Sequence, residues 1–329
     1  MGLGTASGKY FEIFAQSQAL LTSCLAYQAN LDPRYALLAD QYTQQSITVF
    51  RRELSHPTSV DNEATVYAAL LLCSISVCYD APEVSSSSNA EAKPLQMNRA
   101  VPWTVHLNGI AAILEQQKLY TYPNRQVKDY TSFLGILDLP IHTLGRKTPL
   151  RNIWYGYCRF QQGVDVVTGL PYSLVDLLSA IDEPGVVTML TGWTMEDGSA
   201  LQRKVWDVVR HAAIIVGMDL HRRHLLDGPQ VRCVINLLLD LKAEIADEAC
   251  QIRTTLLFPL VTVGTHPSSL TGNDKRYIID CISDLADGSL DRYPYYKGAV
   301  RILQELWYCG EGRSAEHIAR DLDLEQSLF

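Results

Sequence analysis

The sequence predicts an all-α protein: a single compact domain of antiparallel packed helices across residues 1–329. Apolar residues recur at helical spacing from end to end, and alternating strands joined by tight Asn-Gly or Asp-Gly turns are missing. No period of about 34 to 47 residues repeats as it would in a helical solenoid. With 329 residues, 47% hydrophobic and 19% charged, the chain holds enough apolar material for a large core.

Taken in order, Asp32-Pro33 places an N-cap before a proline at the first helical position. Tyr35, Leu38, Tyr42 and Val49 follow near helical spacing, which predicts a helix over about 33–54. Asp61 or Asn62 caps a second helix through Tyr67, Leu70, Leu71, Ile75 and Cys78, apolar nearly all round and therefore central. Residues 82–100, with four consecutive serines at 85–88, read as a mobile loop because they offer little to bury. Pro102 then opens a helix with Trp103, His106, Leu107, Ile110, Ile113 and Leu114 on one face. Amphipathic segments follow near 129–139, 148–160 and 172–182, then a Gly- and Thr-rich loop over 185–199. Helices are expected near 200–226, 229–249, 252–265, 274–286 and 297–308.

The net charge of -8 argues against direct nucleic-acid binding, whose affinity comes mainly from Lys and Arg neutralising phosphates. Eight widely scattered cysteines, none in a Cys-x-x-Cys pair, predict buried thiols and neither a structural zinc nor another cofactor. The most apolar stretch, Ala68 to Val77, is too short to span a membrane, so no membrane contact is expected. Met1-Gly2-Leu3-Gly4-Thr5-Ala6 places Ala6 where a myristoylation signal wants Ser or Thr, and no signal-peptide layout is present. The expected location is intracellular.

Four segments, in order, resemble the fungal-specific transcription-factor domain that follows the binuclear zinc cluster in fungal regulators. They are Trp103-x-x-His106-Leu107-x-Gly109, then Asp138 with Gly145-Arg146, then Gly163-Val164-Asp165-Val166-Val167-Thr168-Gly169-Leu170-Pro171 with Leu174. Last come Phe258-Pro259-Leu260 with Gly264, Arg276 and Trp307. The resemblance implies an all-helical effector or ligand-responsive module, usually nuclear, whose DNA contact belongs to a separate cysteine-rich segment. No zinc-cluster segment is expected here, because nothing upstream of Tyr10 could house six closely spaced cysteines.

Candidate chemistry is sparse. His106 beside Trp103 is either a base or a core histidine bonded to a neighbour. Asp165 is either a buried acid or a turn-organising carboxylate. His221 and His224 lie three apart, within reach of one metal, but the intervening Arg222 and Arg223 would repel a cation, so a basic helix end is the better reading. Gly145-Arg146-Lys147-Thr148 lacks the glycine and strand that a phosphate loop needs upstream. Tyr outnumbers Phe 17 to 7, and Trp154-Tyr155-x-Tyr157 and Tyr293-x-Tyr295-Tyr296 form clusters suited to a pocket or partner surface. The ligand-pocket candidates are Trp103, His106, Trp154, Tyr155, Tyr157, Asp165 and Trp307.

Two functions follow. One is a transcription-factor-like regulatory module that binds a small metabolite or protein partner, nuclear, with a homodimer as one arrangement. The other is a cofactor-independent cyclase or isomerase of fungal secondary metabolism, cytoplasmic, whose aromatic pocket aligns a reactive conformer.

Overall fold

The computed structural model describes residues 17–56, 63–79, 102–116, 125–194, 197–221, 227–245, 254–286, 294–309 and 313–329. Contacts divide the chain into two compact units, Met1–Asp80 with Val84–Pro123, and Ala81–Glu83 with Asn124–Phe329, where one body was expected. Apolar periodicity says that a helix buries a face; it does not say which helices share a core. The expected loop over 82–100, the capping residues Asp61 and Asn62, and His224 lie outside the described residues.

The first unit contains α1 (Gln18–Leu31), α2 (Ala36–Leu54), α3 (Glu63–Tyr79) and α4 (Trp103–Gln116). A short 3-10 turn, Pro33–Tyr35, joins α1 to α2. The two then run antiparallel, as three side-chain links show: Ser17 to Glu53, Ser23 to Ser46 at 2.6 Å, and Asn30 to Thr43. Glu53 also accepts the Ala19 amide, so the end of α2 satisfies an orphan donor at the start of α1. Small residues on the buried face of α1, Ala19, Ser23, Ala26 and Ala29, allow the close approach. On α4 the expected face is the buried one: Trp103, Leu107, Ile110 and Leu114 are in the core, with His106 and Ile113 half-buried.

The second unit contains α5 (Arg125–Leu137), α6 (Tyr172–Ser179), α7 (Val186–Gly192), α8 (Ala200–Leu220), α9 (Asp227–Ile245), α10 (Leu257–Gly264), α11 (Gly272–Leu285), α12 (Pro294–Cys309) and α13 (Ala315–Asp321). Helix α8 packs against α6, α7, α9 and α10, and its Trp206, Val209, Ala213 and Ile215 lie in the core. Capping boxes open α8 (Ser199 with Gln202) and α11 (Thr271 with Asp274), each removing two orphan amides. Among the described residues no helix is long and apolar enough to cross a membrane.

Three departures from the sequence reading have physical causes. The expected loop over 185–199 contains α7, two turns whose Val186 and Leu190 enter the core; tertiary burial holds a helix too short to form alone. The expected helical segment over 148–160 runs irregularly to Ile153 and then makes a π-helical turn, Trp154–Cys158, because Asp138 takes the Arg151 and Ile153 amides from a helical ladder. Finally, β1 (Thr143–Leu144) pairs antiparallel with β2 (Gln326–Ser327) near the end of the chain. Gly145, at φ +72°, makes room there, since a Cβ would collide with the Leu324 carbonyl. Two-residue strands leave no alternation to read.

Candidate protein-interaction site

Two buried carboxylates bracket the segment that carries the π turn. Asp138, at the end of α5, accepts the Arg151 amide at 3.0 Å, the Ile153 amide at 3.0 Å and the Arg146 guanidinium at 2.7 Å. Asp176, on α6, accepts the Trp154 indole N–H through Oδ1 at 2.7 Å and the Phe160 amide through Oδ2 at 2.9 Å. One carboxylate therefore fixes the entry to the turn and the other its exit. The floor is close: a Cβ at Gly135 of α5 would sit 3.2 Å from the Trp154 Cα, a tight contact that glycine avoids. Tyr172 stacks on Trp154 from α6, ring centroids 5.8 Å apart.

This clamp sorts the aromatics. Trp154 is turned inward and fully buried, whereas Tyr155, Tyr157 and Phe160 are 42%, 52% and 84% exposed. The Arg159 guanidinium carbon lies 4.5 Å from the Tyr155 ring centroid and 5.0 Å from that of Phe160. Hydrogen bonding to Glu183, followed by its charge, raises the Tyr155 hydroxyl above its ordinary value, with Arg159 opposing. Burial pushes the Cys158 thiol up to about 12, so it is inert packing beneath the turn.

Backbone strain marks the same segment. Asn152 and Phe160, on either side of the turn, have φ of +54° and +66°. Asn tolerates this region, but a bulky aromatic there costs on the order of 1–2 kcal/mol. Such outliers and π turns concentrate at functional sites. Tyr155 and Phe160, exposed on either side of Arg159 and held in a segment that two buried carboxylates fix, form a set aromatic patch on the surface.

The sequence-derived candidates fall in both compact units. Trp103 and His106 belong to the first unit; burial, then the charge of Arg51, lowers the His106 imidazole below its ordinary value. Asp165 organises its own turn, accepting the Val167 and Thr168 amides at 3.1 and 2.7 Å and the Thr168 hydroxyl at 2.9 Å. Trp206 and Thr255 then tie that turn to the core through the Gly169 and Thr168 carbonyls. Trp307 is half-buried, its indole N–H bonded to the Gly264 carbonyl at 2.8 Å and Lys275 over its ring. His221 closes α8, its amide bonded back to Gly217. Tyr295 meets Tyr296 edge to face and donates to the Phe329 carbonyl.

A surface cleft of about 310 Å³ lies elsewhere, between α8 and α9, lined by Lys204, Leu237, Asp240 and Glu244, and none of the seven candidates borders it. Sequence reasoning missed Arg159, Phe160 and Asp176. The first had a legible signal, since it stands four residues after Tyr155 and one before Phe160, where helical or near-helical geometry stacks cation on ring. No family model, curated protein or solved structure matches the chain.

Proposed function

We propose that the chain is a regulatory module that works by docking a protein partner: a transcription-factor-like helical effector domain acting in the nucleus. The observation that carries this reading is the exposed pair Tyr155 and Phe160 around Arg159, in a segment fixed by Asp138 and Asp176. The resemblance to fungal regulatory domains supports it, because two of the four resembling runs supply the scaffold of this face. Asp138 with Arg146 anchors the entry to the turn, and the run from Gly163 leads into α6, which carries Asp176.

The enzyme reading draws less support. Trp154 is buried and bonded to Asp176, and the Asp165 carboxylate is engaged by three donors of its own turn. These groups serve structure where they stand.

The test replaces Tyr157 with a photo-crosslinking phenylalanine derivative in cells expressing the chain. Discrete adducts are expected on irradiation, lost when Phe160→Asp is added and absent when the crosslinker sits at the still more exposed Tyr308. Adducts indifferent to both changes would overturn the docking reading. So would new isomers of the same mass, absent from a boiled control, when the purified protein is incubated with metabolite extract from cells lacking its gene.

A further inference from the structure

Several arginines of the second unit are paired, while Arg203, Arg276 and Arg301 join no ion pair among the described residues and meet no aromatic ring. Arg146, Arg210 and Arg232 each meet a carboxylate, of Asp138, Asp207 and Asp274, at 2.7, 2.6 and 2.9 Å. Arg159 is different. Its guanidinium lies against two aromatic rings, its Nε is buried without a hydrogen-bond partner, and among the described residues it joins no ion pair. The Tyr155 hydroxyl beside it is also influenced by Glu183.

Stacking on Tyr155 and Phe160 does two things to that cation. It freezes a side chain that would otherwise lose rotamer entropy on binding, and it leaves the edge of the planar fork as the group able to donate. A fork so presented matches a carboxylate in bidentate geometry, and partial desolvation between rings makes such a pair stronger than one in open water. The rings themselves want apolar neighbours. An acidic group flanked by apolar side chains would satisfy both at once, and that is the composition of disordered acidic segments that order on binding. The net charge of -8 makes an unpaired, positioned cation on this surface more conspicuous, since acids are in excess to pair with it.

Resting on the docking reading above, we infer that Arg159, held between Tyr155 and Phe160, is the anchor for a carboxylate on an acidic, apolar peptide segment of the partner. The apolar residues on either side of that carboxylate cover the Tyr155 and Phe160 rings.

The probe is a fluorescein-labelled peptide alternating Asp with Leu and Phe, titrated against the full chain by fluorescence polarisation. Its controls are the same peptide with Asn for Asp and one with phosphoserine for Asp. The acidic peptide is expected to bind the native chain about tenfold more tightly than the Asn peptide, the gain of one charge-assisted bidentate pair. Arg159→Gln should abolish that preference, and Arg159→Lys should keep only part of it, with melting temperatures of both variants close to the parent. Equal binding of the Asp and Asn peptides, a preference that survives Arg159→Gln, selective binding of the phosphoserine peptide, or no binding of any peptide would each overturn the carboxylate assignment. None of these touches the crosslinking result at Tyr157, so failure of the anchor and failure of the docking face remain separable.

Discussion

Asp176→Ala tests the clamp on which the site depends. The carboxylate is 9% exposed, and its two oxygens accept from the Trp154 indole at 2.7 Å and the Phe160 amide at 2.9 Å. Alanine strands both donors in a site with little access to water. Each stranded buried donor costs about 1–3 kcal/mol, so the variant should lose roughly 2–5 kcal/mol. Asn at the same position keeps one acceptor and turns an N–H toward the other donor, so it should lose about half as much. In a domain of this size each kcal/mol lowers the melting temperature by about 2–4 °C, which puts Asp176→Ala roughly 5–15 °C below the parent. Urea unfolding gives the magnitude, and hydrogen exchange gives the location: the Phe160 amide should lose its protection while amides in α8 keep theirs. Without that bond nothing offsets the left-handed backbone of Phe160, so the ring should swing away and the crosslink from Tyr157 should fade. An unchanged unfolding midpoint with a still-protected Phe160 amide would refute the clamp and the preorganisation argued from it.

Asp138→Ala leaves the Arg146 side chain, 10% exposed, without its carboxylate, and should cost about 3–5 kcal/mol in urea unfolding. Adding Arg146→Met should recover part of that loss, and a double variant no better than the single would count against the pairing. Gly145→Ala sets a Cβ against the Leu324 carbonyl at φ +72°, adding to the roughly 1–2 kcal/mol of left-handed strain; hydrogen exchange should report it at the Leu328 amide, which bonds the His142 carbonyl at 2.7 Å. Burial, and then the charge of Arg146, lowers the His142 imidazole to about 3, so the folded chain keeps it neutral where the unfolded chain takes up a proton below about pH 6.5. The stability this contributes is complete above about pH 6.5 and is lost toward pH 3 at ~1.4 kcal/mol per pH unit; His142→Gln should flatten that slope between about pH 6 and 4, and an unchanged slope would contradict it.

Where a helix has one wet face and one dry face, its pattern was readable. Helix α4 is the clearest case, with Trp103, Leu107, Ile110 and Leu114 buried as their spacing requires. Helix α1 escaped notice although Ser17 caps it by accepting the Leu20 amide. Leu21 and Leu25 are exposed on the side opposite its buried alanines, so apolar residues surround the helix and no stripe stands out. The short helix α7 and the two-residue strands draw their stability from distant partners, Val186 and Leu190 from the core and β2 from β1, and local propensity carries no trace of such contacts.

The site fails to show in the sequence for a sharper reason. Choosing Trp154, Tyr155 and Tyr157 by residue type treats neighbours as companions, yet one turn of chain sends the first into the core and the other two into solvent. Which way each ring faces is decided by the π turn, and the π turn is decided by carboxylates at 138 and 176, sixteen residues before Trp154 and twenty-two after it. Phe160 shows the same dependence more strongly. Nothing in its neighbourhood asks an aromatic residue to adopt φ +66°; the Asp176 oxygen waiting for its amide does. Tyr155 and Arg159 could have been paired by their spacing, but the second ring reaches the guanidinium only because the backbone reverses at Phe160. A surface assembled by two remote acids is a property of the folded unit. That is why Arg159 and Phe160, on which the proposed docking rests, look unremarkable in sequence while the residues that seemed chemical, Asp165 and Trp154, hold the scaffold.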